Sequence, residues 1–311
     1  MNTVDVVVLT KNSSITLDLV IKGIRSAIPV NKLFVVDGGS TDSTLKIARK
    51  YGAKIILEKG KLGKARFVGA REVETEWFCF IDSDILVFPF WYRKLARWTS
   101  EPGVVWVGGL PLEHSKILKS YAYFKSHGLN HPQFQKPVAL SNSILRRDVV
   151  LGCKQLLRNN IHGGEDSILY EHVCSQGYRV IKDFSFFACL HLPDCFLHDI
   201  YALYRGGYSI RLRGGHVQVK YIGIPFYNLR SATLGFMDTL DPRLFGYYFG
   251  IQGMAHLIKH LGIAGKRVDS LVDRLEKSSE MMGVNMFLRN PRDPEGGLLN
   301  FDAPSNRNTI L

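Results

Sequence analysis

The chain has 311 residues, 46% of them hydrophobic, with 18 Phe, 13 Tyr and 4 Trp, enough to bury one large core or a core with an appended subdomain and too apolar for an intrinsically disordered protein. Forty Lys and Arg against 28 Asp and Glu leave a net charge of +12, which points to nucleic acid, anionic lipid or phosphorylated substrates as partners. Five cysteines (Cys79, Cys153, Cys174, Cys189 and Cys195) without a Cys-x-x-Cys pair exclude a disulfide framework and a zinc knuckle, and predict a reduced compartment.

The first apolar run is short and β-branched, so it reads as a strand rather than a leader. No run of about 18 uncharged apolar residues is present to cross a bilayer, and a cytoplasmic protein is expected. Through the first 110 residues, short β-branched runs alternate with amphipathic segments, the pattern of a parallel sheet covered by helices. Strands are predicted at 5–9, 33–36, 54–57, 77–81 and 104–107. The intervening helices carry Ile15, Leu19, Ile21 and Ile24 after an N-cap at Ser13 or Ser14; Leu45, Ile47 and Ala48 after a start at 40–42; and Ala65, Val68, Ala70 and Val73.

The middle of the chain predicts a helix at 115–127 and a loop through His131, Pro132 and Pro137. A helix over 166–176 follows, ended by Gly177, and then two strands, around Val180 and at 186–190. Residues 201–267 hold nine Lys and Arg against Asp238 and Asp241, together with 11 Phe and Tyr. Residues 289–311 are polar and broken by Pro and Gly, and a mobile tail is expected there.

The sharpest motif is Phe78-Cys79-Phe80-Ile81-Asp82-Ser83-Asp84, an apolar strand ending in two carboxylates. In extended backbone, residues i and i+2 point the same way, so Asp82 and Asp84 are expected to converge at the carboxyl edge of the sheet. Paired carboxylates repel unless a cation joins them, and oxygen-only ligands favour Mg²⁺ or Mn²⁺; the bland reading is a strand-ending turn with solvated acids. A second strand ends in Asp37-Gly38-Gly39-Ser40-Thr41-Asp42, whose glycines let backbone approach a ligand and whose Asp37 suits a base or ribose. Ser40 and Asp42 are accounted for by helix capping. Gly163-Gly164-Glu165-Asp166 brings two acids to a helix start, where the helix dipole favours them whatever their role and where one suits a general base. A dinucleotide fingerprint and a P-loop are both absent.

Taken in order, Leu9-Thr10-Lys11-Asn12, the segment 35–44, Gly63-Lys64-Ala65-Arg66, Phe80 to Asp84, the segment 141–149 and the segment 163–180 resemble glycosyltransferase family 2. The resemblance covers residues 4 to about 210. It implies a GT-A fold, a mostly parallel Rossmann-like α/β sheet with helices on both faces, and a metal-dependent inverting enzyme that moves a sugar from a UDP- or GDP-sugar to an acceptor hydroxyl or phosphate. It implies a nucleotide-sugar half at 1–110 and an acceptor half at 111–210, followed by a helical basic and aromatic extension at 211–288. By the same resemblance, Leu9, Thr10, Lys11, Asp37, Lys64, Arg66, Asp82 and Ser83 bind the nucleotide-sugar. Asp82 and Asp84 hold Mg²⁺ or Mn²⁺, Asp84 the more closely. Asp166 is the catalytic base with Glu165 beside it, and His191 stands near the metal, although a lone histidine also has a structural reading. Apart from the resemblance, the charge that develops on the leaving diphosphate calls for a cation, and Arg205 is the candidate.

Leu9, Lys11 and Gly38 depart from the family's commoner residues and leave the choice between UDP and GDP open. No processive signature follows residue 200. Two other classes compete: a sugar-phosphate nucleotidylyltransferase, which lacks here its glycine-rich loop after the first strand, and a noncatalytic nucleotide-sugar or nucleic-acid binding module, for which the acids at 82, 84, 165 and 166 are unfavourable. No nucleic-acid partner is expected. The segment 201–267 suits the headgroup region of an anionic membrane, so a peripheral position on its cytoplasmic face and a lipid-linked acceptor such as a polyprenyl phosphate are expectations; the other reading packs these aromatics onto the catalytic domain.

Overall fold

The computed structural model describes residues 3–112, 139–157 and 164–191, with isolated positions at 233, 237, 240 and 242. The helix expected at 115–127, the loop at 131–137, Arg205, the tail at 289–311 and, but for those four positions, the extension at 211–288 lie outside the described residues. Eight strands form one sheet: β1 (Val4–Thr10), β2 (Val30–Asp37), β3 (Lys54–Leu57), β4 (Trp77–Asp82), β5 (Ile85–Val87), β6 (Val104–Leu112), β7 (Asn142–Arg146) and β8 (Arg179–His191), in the order β3-β2-β1-β4-β7-β6-β8-β5. The helices are α1 (Leu17–Ala27), α2 (Thr44–Lys50), α3 (Leu62–Glu72), α4 (Trp91–Ala96), α5 (Arg147–Gly152) and α6 (Glu165–Ser175).

β1 is buried along its whole length, and its side chains divide by the period of two. Val6 and Val8 face α1 and α4 in one core, with Leu17, Val20, Ile21, Ile24, Trp91 and Leu95. Val7 and Leu9 face the other, with Ala65, Phe67 and Ala70 of α3 and Ile168, Leu169 and Val173 of α6. Each fully buried Val or Leu contributes about 1.5–3 kcal/mol, so a strand with apolar side chains on both faces is stable only between two helical layers. The α3 layer lies close: a Cβ on Gly69 would stand 2.6 Å from Val7 Cγ1.

β1 runs parallel to β2 on one side and to β4 on the other. The strand order reverses there, and open α/β sheets bind ligands at such a point, beyond the carboxyl ends of the strands. At the amino end of β1, Asp5 is fully buried. It accepts hydrogen bonds from Asn31 Nδ2 (2.8 Å) and the amides of Lys32 (3.1 Å), Glu74 (2.7 Å) and Thr75 (3.3 Å).

The sheet is mostly parallel, as expected, and its far half adds antiparallel pairings. β7, read in the sequence only as part of a motif, enters antiparallel between β4 and β6. The two strands expected around Val180 and at 186–190 are one strand, β8, whose pairing to β6 jumps from Asp183 opposite Gly109 to Phe187 opposite Leu110. Such a bulge bends a strand, and chain length requires the bend. Asp82 and Ile85 are three residues apart, about 10 Å at full extension, whereas in a flat sheet four strand spacings would set β4 and β5 about 19 Å apart. The β6–β8 ribbon therefore curls, and β5 returns over α1, where Leu86 Cδ1 leaves no room for a Cβ on Gly23.

Capping differs from expectation at two helices. Thr16, not Ser13 or Ser14, precedes α1, and no side chain caps it. α2 begins at Thr44, whose amide donates to Asp42 Oδ1 (2.9 Å), while Ser40 binds Asp37 instead of capping.

Candidate active site

The loops that follow β1 and β2 are stitched together by short polar side chains. Asn12 N donates to Ser40 Oγ (2.8 Å), Thr41 N to Asn12 Oδ1 (2.9 Å), Ser13 N to Thr44 Oγ1 (2.7 Å) and Ser14 N to Asp42 Oδ2 (3.0 Å). Ser13 Oγ also lies 2.8 Å from Ser83 Oγ, so the same loop holds the turn between Asp82 and Asp84. Ser13 thus ties these loops together through its amide and hydroxyl, while its carbonyl accepts the Thr16 (3.2 Å) and Leu17 (3.0 Å) amides at the start of α1.

Asp37 is fully buried. Its Oδ1 accepts the amides of Gly39 (2.9 Å) and Ser40 (2.8 Å), and its Oδ2 accepts the hydroxyls of Thr10 (3.0 Å) and Ser40. A carboxylate offers about four acceptor positions, and these four donors fill them. Asp37 thereby shapes the Thr10 and Gly38-Gly39 edge, where a contact to a base or ribose was expected of it. Gly39 has φ +91°, where a side chain would be strained. Leu9 and Thr10 are buried at the end of β1, and Lys11 is exposed beside Gly38. Lys64 pairs with Glu58 (3.1 Å), which follows β3.

The acid pair departs from the extended geometry expected of it. Asp82 ends β4, opposite Leu9 of β1, and Ser83 and Asp84 form a tight turn into β5. The alternation of a strand therefore does not set their relative direction; the turn and the Ser13 contact do. His191 ends β8 with its backbone in register with Ile85, the residue after Asp84.

α6 begins after Gly164 at φ 76° with Glu165 and Asp166 as its first residues. Glu165 is 8% exposed; burial raises its pKa, the Arg66 charge opposes that rise, and the charges of Asp166 and Asp82 add to it. Asp166 is half-buried, and its Oδ1 accepts the Ser167 amide (2.7 Å). Arg66, 3% exposed on α3, joins the two acidic regions: its Nη2 lies 2.7 Å from Asp82 Oδ1 and its Nε 3.8 Å from Glu165 Oε1, with the guanidinium over the Phe80 ring at 4.9 Å. The sequence carried a signal of this placement, because Arg66 falls among Ala65, Phe67, Gly69 and Ala70 on the core-facing part of α3, where an arginine is rarely buried without a partner. Asn142, fully buried at the start of β7, accepts the Gly109 amide (3.1 Å) and was not foreseen.

Among the described residues, no three acid, histidine or cysteine side chains form a metal cage. A pair of carboxylates fits an ion of the Mg²⁺ type, which retains waters and is bound through one or two carboxylates plus substrate phosphates. The oxygen-only chemistry of Asp82 and Asp84 suits such an ion.

Residues 5–154 match the family model described as Glycosyl transferase family 2. Among solved structures, glucosyl-3-phosphoglycerate synthase from Mycobacterium tuberculosis, in complex with Mn²⁺, uridine diphosphate and phosphoglyceric acid, is similar at 18% identity and TM-score 0.50, over 70% of this chain and 80% of that one. TarS from S. aureus is similar at 15% identity and TM-score 0.47, over 84% of this chain and 55% of that one. No curated protein sequence matches. The synthase likeness supports the fold, a mixed sheet with one parallel half, and the family match supplies the chemistry: residues 5–154 form a glycosyl transferase family 2 domain, and the chain is a glycosyltransferase.

Proposed function

We propose that the enzyme is a metal-dependent inverting transferase that moves a sugar from a UDP- or GDP-sugar to a hydroxyl or phosphate of its acceptor, with Asp166 as general base. The observation that carries this reading is the Arg66 bridge, which ties the helix start bearing Asp166 to the Asp82-Ser83-Asp84 turn. Leu9, Thr10 and Lys11 line the nucleoside side, with Lys64 and Arg66 toward the diphosphate and Asp37 holding that edge in shape. Asp82 and Asp84, with His191 at the end of β8, would hold the metal, which supplies positive charge for the diphosphate oxygens.

In the transfer, an acceptor oxygen attacks the anomeric carbon. The carbon–oxygen bond to the diphosphate breaks, and its electron pair stays on the diphosphate. The acceptor proton passes to Asp166, as a general base requires. Charge developing on the leaving group is met by fixed cations in a site partly shut off from water, where such interactions are strong; Arg205 is assigned to this task. Attack and departure on opposite faces of the sugar give inversion, the spatial logic also found in inverting glycosidases.

Asp84→Ala tests the metal assignment. Outer-shell substitutions alone weaken metal binding by about 10-fold to 100-fold, so calorimetry is expected to show at least about a tenfold loss of metal-dependent nucleoside diphosphate binding. Binding unchanged by the substitution would remove the assignment. Donor hydrolysis screened across UDP- and GDP-sugars with Mn²⁺ or Mg²⁺ identifies the nucleotide.

The acceptor is proposed to be lipid-linked, with the enzyme peripheral on an anionic membrane. Supporting this is the segment 201–267, where an apolar run through Ile222, Ile224, Phe226 and Tyr227 lies between Lys220 and Arg230, a composition suited to an interface. Among the described residues, no helix is long and apolar enough to cross a membrane. The full-length protein is expected to float with anionic liposomes at low salt and to be released at high salt; failure to float, with activity on soluble acceptors alone, would sink the idea.

A further inference from the structure

Arg66 holds its two carboxylates unequally. Asp82 is in close ionic contact at 2.7 Å, whereas Glu165 stands 3.8 Å from Nε. Neither Nε nor Nη1 makes a hydrogen bond, although the residue is 3% exposed. Burying guanidinium donors without acceptors is costly, and a charge-assisted N–H···O bond forms at about 2.7–2.9 Å. A movement of about 1 Å would turn the Glu165 ion pair into such a bond.

That movement has a defined place to occur. Glu165 is the first residue of α6, Gly164 before it has φ 76°, and Asp166 follows directly. Glycine in that conformation lets the chain direction adjust without the cost that a side chain would impose. A displacement of the Glu165 backbone toward Arg66 at this hinge carries the first turn of α6 with it.

We propose that Glu165 is a positioning residue: by closing onto Arg66 Nε it sets the first turn of α6, and so the Asp166 carboxylate, relative to the Asp82-Ser83-Asp84 turn. The proposal rests on the reading of Asp166 as the base. Arg66 then couples the two halves of the site, because the guanidinium that meets Asp82 on the donor side is the one that fixes the base on the acceptor side. Burial of Glu165 supports this role, since its carboxyl lies away from solvent and beside the guanidinium.

The test compares Glu165→Ala, Glu165→Gln, Arg66→Lys and the double variant Arg66→Lys/Glu165→Ala with Asp166→Asn, measured on the full chain with thermal melting as a control for folding. Misplacing a reacting group by 1 Å costs about 10²-fold in rate, so Glu165→Ala is expected to lower kcat by about 10-fold to 100-fold with donor KM changed less than about twofold. Glu165→Gln keeps an acceptor for Nε without the charge and is expected to fall between Glu165→Ala and the parent enzyme. The Arg66 and Glu165 effects on kcat are expected to be non-additive, as for groups in direct contact. The acid-side fall of the kcat–pH profile is expected to persist in Glu165→Gln, because the base is a different group.

A folded Glu165→Ala enzyme with parental kcat, additive effects of the two substitutions, or a loss confined to donor KM would each overturn the proposal while leaving an inactive Asp166→Asn, and with it the base reading, intact. An active Asp166→Asn together with loss of the acid-side limb in Glu165→Gln would overturn both by making Glu165 the base.

Discussion

Asp166→Asn is expected to lower turnover by about 10² or more while donor binding stays nearly unchanged, the scale of loss when a general base is removed. The substitution is close to isosteric. Asp166 Oδ1 accepts the Ser167 amide, and an asparagine oxygen can accept it equally, so the first turn of α6 is not expected to open. Under the proposed mechanism, what is lost is the capacity to take a proton from the acceptor. Two measurements separate the effects: calorimetry of nucleoside diphosphate with metal for the donor side, and single-turnover transfer for the chemical step. Near-parental single-turnover rates would move the base elsewhere.

The second large effect concerns stability and falls at the opposite end of β1. Asp5→Ala is expected to destabilise the fold by about 3 kcal/mol or more, because it removes a buried acceptor and strands the donors that depend on it. Asn31 Nδ2 and the Lys32, Glu74 and Thr75 amides all lose their carboxylate. Those donors come from the start of β2 and from the connection between α3 and β4, so one side chain fixes the entry of three parallel strands. Asp5→Asn is expected to lose less, since an amide can keep the contacts at one oxygen but turns a donor toward donors at the other. Asp5 and Thr10 are separated by about 17 Å along the strand, so activity per folded molecule should be unaffected. Urea unfolding provides the measurement, and a change below about 1 kcal/mol would show that water or local rearrangement replaces the carboxylate.

Much of the first half of the sheet, β1 to β4, could be read from the chain alone. β1 to β4 stand where the apolar runs predicted them; α1 carries Leu19, Ile21 and Ile24 and α3 carries Ala65, Val68 and Ala70, whereas Ile15 precedes α1 and is exposed, and Val73 follows α3. The reason is local: a parallel strand buried on both faces must be a continuous apolar run, and a helix covering it must repeat at 3.6 residues. The placement of acids at the carboxyl ends of β2 and β4 follows from the same pattern, because a polar residue inside a strand buried on both sides is costly unless, like Asp5, it is fully hydrogen-bonded.

Tertiary structure decided what periodicity does not encode, namely which strand lies beside which and where a chain reverses. Side-chain alternation gives the buried face of Asn142–Arg146 but not its antiparallel place between β4 and β6. It gives two apolar stretches in β8 but not the bulge that joins and bends them so that β5 can return to the Asp82-Ser83-Asp84 turn. The Asp82–Arg66–Glu165 bridge is of the same kind. Sequence placed Glu165 and Asp166 at a helix start, as the helix dipole favours. That this start meets the end of β4 through one buried guanidinium depends on α3 and α6 packing on the same face of the sheet. A buried arginine there must find carboxylates, and only the folded chain brings them within its reach.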